Sequence, residues 1–267
     1  MSSSSAVPVL AWMTEASKVL ERLAATQADA MEAASQWCAD AIAADGLVHL
    51  FGTGHSRIPV EEMFPRYGSY PGFNPMVELS MTFHTQVVGT NGQRQAMFIE
   101  RTPGLAEVIL ANFNFGRHDV LMVFSASGTS AVSVEMARGA RARGLRVIAV
   151  TSVEGSMAVA PDAATEGWRL LDEADLVIDL CTPEADALCR VTGLETPVGP
   201  GSTIAAVAIV NSIKVRVAEL LVERGQMPPV LTRASVVGEE RSRTLFEQAY
   251  REHARRIARA IDNQGGE

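Results

Sequence analysis

Five short, almost unbroken apolar runs constrain this chain more than any other feature: LVHLF at 47–51, PMVEL at 75–79, DVLMVFS at 119–125, RVIAVTS at 146–152 and DLVIDL at 175–180. A strand with one wet face alternates apolar and polar side chains, whereas a run apolar at successive positions must be covered on both faces. Helical patterns lie between the runs, best formed at 129–143, where Gly144 supplies the expected stop. Strands buried on both faces and alternating with helices predict an α/β protein with a five-stranded parallel sheet, doubly wound, with helices on both sides. Before the first run, Leu20, Leu23, Ala24, Met31 and Ala34 recur at helical spacing, so 10–44 reads as one long helix or a helical pair, broken at Asp45-Gly46. Two helical additions follow the last run, at 202–223 and 239–262. The second carries Arg241, Arg243, Arg251, Arg255, Arg256 and Arg259 and reads as a solvated face with Glu239, Glu240, Glu247 and Glu252 as partners. The organisation expected is a disordered leader at 1–9, one domain at 10–237 and a C-terminal helical extension at 238–267.

Composition narrows the function classes. A formal charge of −8 argues against nucleic acid as the main partner. Cys38, Cys181 and Cys189 have neither metal-ligand pairing nor a disulfide framework and read as small apolar residues. MSSSSAVPVL lacks the basic and apolar regions of a signal peptide, and the longest apolar stretch, 204–210, is far too short to span a bilayer. A cytoplasmic protein that makes no membrane contact is the expectation.

Two strand ends carry chemistry. The first apolar run leads into FGTGHSR at 51–57 and the third into SASGTS at 125–130. Ligands of open parallel sheets bind beyond the carboxyl ends of the strands, where strand order reverses. A helix beginning there offers unpaired N–H groups and the positive end of its dipole, and serine and threonine hydroxyls add directional donors. One helix cap needs one hydroxyl; four in six residues point to a ligand cradle that needs no lysine. A dinucleotide is a poor fit, because Gly52-x-Gly54 lacks the third glycine of the fingerprint and has Arg57 in its place. A P-loop is missing altogether. A compact phosphorylated ligand fits both loops.

GTGHS after the first run, SASGTS after the third and AVTS at the end of the fourth together resemble the sugar isomerase (SIS) domain family, over about 10–237 and in the order of the elements. More closely, the chain is similar to stand-alone bacterial SIS proteins. Their FG-x-GHS, E-E pair, N-P, GL-x-VIA-x-TS and VGP-x-ST read here as residues 51–56, Glu61-Glu62, Asn74-Pro75, 144–152 and 198–203. The resemblance implies a flavodoxin-like fold that binds a phosphosugar. Ser125, Ser127, Thr129 and Ser130 would contact the phosphate, Thr53 and Ser56 would approach from the first loop, and Ser202 and Thr203 would approach from the late helix. It also implies a homodimer or higher homo-oligomer, with the N-terminal helices building the contact. The activity implied is aldose–ketose isomerisation. A lyase or etherase resembling the etherase of N-acetylmuramic acid 6-phosphate and a non-catalytic phosphosugar sensor are the alternatives. Sensor-type regulators carry a helix-turn-helix domain, and residues 1–46 are too few to house a conventional one.

Isomerisation needs a base to move a proton between adjacent carbons and a group to move protons on oxygen. The candidates are Glu62, Glu78 and Glu100 as carboxylates and His55 in the first loop. Glu62 is the expected base, because its helix starts at the ligand loop and it takes the place of a metal-binding histidine in the phosphoheptose isomerase branch. His55 is expected to serve the oxygens, and Glu100 aligns loosely with a glutamate of the etherase. His84 reads as a solvent-facing loop residue and His49, inside an apolar run, as a core histidine. No histidine lies between Asp119 and Glu252, so the zinc set of that branch is missing and neither metal nor cofactor is expected.

Overall fold

The computed structural model describes residues 8–82, 92–160 and 165–261. Helices α1 (Ala11–Thr26) and α2 (Ala28–Ala43) form the N-terminal pair, and the turn at Asp45 then feeds β1 (Val48–Gly52). After β1 come α3 (Arg57–Met63), β2 (Phe73–Pro75), α4 (Gln93–Ile99) and α5 (Leu105–Leu110). Next are β3 (Val120–Phe124), α6 (Ala131–Ala142), β4 (Arg146–Thr151), α7 (Val153–Ala158), α8 (Leu170–Glu173) and β5 (Leu176–Asp179). A hairpin of β6 (Ala187–Cys189) and β7 (Val198–Pro200) leads into α9 (Ser202–Glu223), followed by α10 (Ala234–Val237) and α11 (Glu239–Ile261).

The main sheet has the order β2-β1-β3-β4-β5, and every pairing in it is parallel. Strand order reverses between β1 and β3, the switch point where such sheets bind ligands. The apolar runs are unbroken because successive side chains enter different cores. Val120, Met122 and Phe124 of β3 join a cluster with Leu23, Ile42, Ile209 and Ile213 of the α1, α2 and α9 layer. Leu121 and Val123 join the opposite cluster with Leu110, Val132 and Met136 of α5 and α6. Gly144 adopts φ +83 just after α6, the left-handed stop that glycine tolerates best.

Three features differ from the sequence reading. The second strand is Phe73–Pro75 rather than 75–79, paired Val48 to Phe73 and Leu50 to Pro75. Pro75 has no N–H to continue a ladder, which suits the end of an edge strand. Beyond it Val77 and Leu79 are exposed and Glu78 caps a 3-10 turn at Leu79–Met81. The antiparallel pair β6–β7 has no counterpart in the apolar pattern, because its residues are only half-covered or exposed. The arginines of α11 are not all solvated: Arg256 is buried and donates to the Ile42 and Gly46 carbonyls, and Arg255 and Arg259 pair with Asp45. Arg251 and Arg256 also keep the expected partners, Glu247 and Glu252.

At the foot of the sheet a buried carboxylate ties three strands together. Asp119 Oδ1 accepts the Leu47 N–H at 2.8 Å, while Oδ2 accepts the Gly116 N–H at 2.8 Å and meets His49 Nε2 at 3.0 Å. Asn74 Nδ2 lies 2.9 Å from His49 Nδ1, which carries the chain of bonds to β2. His49 is thus a satisfied core histidine. Burial pushes the Asp119 carboxyl up, but the bonds from His49, Leu47 and Gly116 outweigh it and hold its pKa below the ordinary aspartate value. A depressed native pKa stabilises the fold above the unfolded value and loses that contribution as pH falls through the native one. Asp119→Asn is therefore expected to cost about 1.5–3 kcal/mol at neutral pH. The gap between variant and wild-type melting temperatures should close as pH drops below about 4, as calorimetric melts across pH will show; a gap constant with pH would remove the charge from this account.

Candidate active site

The first loop is folded tightly against the end of β1. A Cβ on Gly52 would stand 2.3 Å from the Ser56 carbonyl oxygen, so the chain can turn back there only without a side chain. Thr53 is buried and its hydroxyl donates to Glu100 Oε2 at 2.7 Å. Glu100 follows α4, and its own carbonyl accepts the Val132 N–H in the first turn of α6 at 3.0 Å. One residue therefore touches the first loop with its side chain and the α6 end with its backbone. Burial pushes the Glu100 carboxyl above the ordinary glutamate pKa, and the Thr53 hydroxyl and Arg101 only partly offset this.

The second loop connects β3 to α6. Ser125 Oγ accepts the Gly128 N–H at 3.1 Å, and the Gly128 carbonyl accepts the Leu170 N–H at 2.8 Å. Gly128 has φ +64, and a Cβ there would lie 2.8 Å from Thr151 Oγ1, so β4's end and the loop meet without a side chain between them. These bonds fix the backbone and leave the other hydroxyls to one another: Thr129 donates to Ser127 Oγ at 3.3 Å and Ser130 to Ser133 Oγ at 2.9 Å. Ser130 occupies the cap position of α6 without capping it by its own side chain, and the Val132 N–H is taken by the Glu100 carbonyl. Hydroxyls gathered at a helix start that no carboxylate neutralises among the described residues are an arrangement that suits an anion.

Between the first loop, the strand ends and α9 lies a small, partly open cleft of about 20 Å³. Its walls include His55, Ser56 and Pro59 from the first loop and α3, Phe124 and Ser125 from β3, Leu180 beyond β5, and Ser202 and Thr203 of α9. Of the residues singled out in the sequence, His55, Ser56, Ser125, Ser202 and Thr203 are thus brought together. Thr53 and Glu100 are bonded to each other outside the cleft lining, and Ser127, Thr129 and Ser130 belong to the Ser125 loop without lining the cleft.

Glu62 and Glu78 are placed elsewhere. Glu62 faces α9, where Asn211 Nδ2 donates to it at 3.3 Å and Lys214 Nζ lies 3.6 Å away, with Arg66 at 2.9 Å on the other side. Burial pushes its pKa up, but Asn211, Lys214 and Arg66 outweigh that and bring it below the ordinary glutamate value. Lys214 is itself buried and also donates to the Glu62 carbonyl at 2.8 Å, which anchors the end of α3 on α9. Glu78 accepts from the Ser80 N–H and hydroxyl at 3.1 and 2.8 Å. His84 lies outside the described residues. Among the described residues no three His, Cys, Asp or Glu side chains gather in a way that could hold a metal ion, and none of the helices is long and apolar enough to cross a membrane. The sequence reading missed Asp186, which bonds Ser202; only the serine it serves was visible as part of a motif.

A doubly wound α/β protein with glycine- and hydroxyl-rich loops after the two strands at its switch point is the class that fold and candidate site define. The SIS domain profile matches residues 11–152, and the chain belongs to the SIS domain family. A UPF0309 protein of Brucella abortus is 35% identical over 233 residues, covering 87% of this chain and 90% of the relative. One from Listeria innocua is 30% identical over 235 residues, covering 88% and 92%. Among solved structures, the phosphoheptose isomerase GmhA of Neisseria gonorrhoeae superposes with a TM-score of 0.50 at 16% identity, over 79% of this chain and 97% of that one. The phosphoheptose isomerase of Francisella tularensis gives 0.50 at 14% identity, over 78% and 95%. At such identities the likeness is one of fold.

The tightness of the first loop can be tested alone. Gly52→Ala puts a methyl against a backbone carbonyl, which cannot rotate away as a side chain would, so a loss of about 1–3 kcal/mol is expected. Denaturant melts will measure it. An unchanged midpoint would mean that the loop relaxes freely and that its shape is not set by Gly52.

Proposed function

We propose that this protein binds a sugar phosphate across the switch point and interconverts its aldose and ketose forms, with Glu100 as the base. The observation that carries the reading is the position of Glu100: a half-buried carboxyl of raised pKa, bonded through Thr53 to one ligand loop and through its carbonyl to the helix that begins the other. The phosphate would sit at the start of α6 among Ser127, Thr129 and Ser130, with the backbone of the Ser125 loop behind it. Glu100 would then take the proton from the carbon beside the carbonyl while the carbonyl oxygen gains one, giving an enediol. Return of the proton to the neighbouring carbon completes the exchange. His55, exposed in the cleft wall, is suited to moving the protons on oxygen. What favours Glu100 over Glu62 is charge: a base poised by burial accepts a proton more readily than a carboxylate already held by a lysine, an arginine and an amide. The same reading carries a cytoplasmic homodimer, supported by the exposure of Leu10, Met13 and Leu20 along α1; light scattering reads the mass directly.

A panel of aldose and ketose phosphates, assayed for interconversion and for elimination, tests the activity. Glu100→Gln should lower turnover by roughly 10²–10⁴ with little change in KM, and Glu62→Gln by far less. Because the Glu100 pKa is raised, the acid limb of the wild-type rate profile should lie above the range of an ordinary glutamate. If Glu62→Gln is dead while Glu100→Gln turns over normally, the base is Glu62. The cradle has its own check: Ser127→Ala and Thr129→Ala should each weaken sugar phosphate binding by about 1.5–3 kcal/mol in calorimetry. Affinity untouched by both changes would move the phosphate elsewhere.

A further inference from the structure

Of the helix starts beside the cleft, those of α6 and α9 are met by different groups. At the α6 start the Val132 N–H meets a neutral group, the Glu100 carbonyl, and among the described residues no carboxylate bonds the first turn. The α9 start has no side-chain cap from its own cap residue, Gly201, but a carboxylate reaches it from the other side of the β6–β7 hairpin. Asp186 Oδ1 accepts the Ser202 N–H at 2.7 Å and the Gly201 N–H at 3.2 Å, and Oδ2 accepts the Ser202 hydroxyl at 2.6 Å. The amide and the hydroxyl that Ser202 could offer a ligand are both engaged by Asp186.

This carboxylate is held firmly. Asp186 has φ +57, a left-handed conformation uncommon outside glycine, and strain of that kind persists only where neighbours over-determine it. Here its N–H donates to the Pro183 carbonyl at 2.8 Å and its carbonyl accepts the Gly201 N–H at 2.8 Å. Ala187 pairs with Pro200 directly beyond, closing the base of the hairpin. The hairpin is in turn pinned to α1: Trp12 Nε1 donates to the Pro200 carbonyl at 3.2 Å, and a Cβ on Gly199 would lie 2.5 Å from the Trp12 ring. An aspartate near a helix start is ordinary. This one stands behind Ser202, a residue of the cleft wall, and so brings a negative charge to the α9 side of the cleft.

We infer that Asp186 determines specificity, restricting the cleft to sugars with one anionic group, seated at α6, and a neutral polyol end toward α9. Sugars with a second phosphate or a carboxylate at the far end are rejected by like charge. This inference rests on the phosphosugar reading of the site, and the test separates the two.

Calorimetry compares fructose 6-phosphate and glucose 6-phosphate with their doubly anionic counterparts, fructose 1,6-bisphosphate and 6-phosphogluconate. In the wild type the doubly anionic member of each pair should bind about tenfold or more weakly. Asp186→Asn keeps an acceptor oxygen for Ser202 and removes the charge, so the ratio should fall to within about threefold. A cap of purely structural importance would lower stability without moving this ratio. Should the variant unfold, the wild type still decides, because raising salt must narrow a gap made by charge. Equal affinities within each pair, or a gap untouched by both salt and Asp186→Asn, overturn the role of Asp186 while the phosphosugar reading stands. Failure of both monophosphates to bind removes that reading for hexose 6-phosphates and the inference with it.

Discussion

The Asp119 carboxylate is the contact on which the rest of the molecule depends. Parallel strands have no tight turn between them to set their relative register, so something else must do so. Here one buried side chain bonds the backbone just before β1 and the turn before β3, and reaches β2 through His49 and Asn74. The three strands so joined are the ones that flank the switch point. A slip of one residue in either would exchange the two faces of the sheet and carry the first ligand loop out of level with the second. The geometry of the candidate site is thus decided at the opposite end of the sheet.

Much of this fold could be read in the sequence for one reason: burial on both faces leaves an unmistakable signature. Four of the five runs became strands at nearly the expected positions: β1, β3 and β4 are paired on both sides, and β5, an edge strand, keeps its run because Leu176 and Ile178 pack into one core and Val177 into the other. The remaining run was displaced because β2 ends at Pro75, which has no N–H to continue a ladder, and the apolar residues beyond it, Val77 and Leu79, are exposed. Such a continuation is a pattern that hydrophobicity alone cannot separate from a strand. The hairpin β6–β7 left no signal at all, since it buries too little.

The site was legible as loops and illegible as geometry. Glycine and hydroxyls cluster in sequence because each loop is built from consecutive residues, so Thr53, Ser56 and the 125–130 segment could be found together. Carboxylates are different. Glu62 sits on the helix that leaves the first loop, which makes it conspicuous, yet helical periodicity turns it toward Asn211 and Lys214. Glu100 is far from both loops in the chain and meets them only through packing. Asp186 is hidden for the same reason, and its partner Ser202 lies across a hairpin that the sequence did not announce.

The clasp on Asp45 bears on the order in which the molecule can be completed. That residue holds a left-handed backbone, φ +65, at the turn feeding β1, and its carboxylate is gripped by Arg255 and Arg259, with Arg256 binding the carbonyls on either side. Domains assemble from the N-terminal side as they leave the ribosome. The arginines that secure this turn follow every strand of the sheet, so β1 can pair with β3 well before its own approach is fastened. A nascent chain halted between β5 and α11 would carry all five strands of the parallel sheet with the first of them still unlatched, a window in which a protease or a chaperone would find the molecule's beginning before its end had secured it.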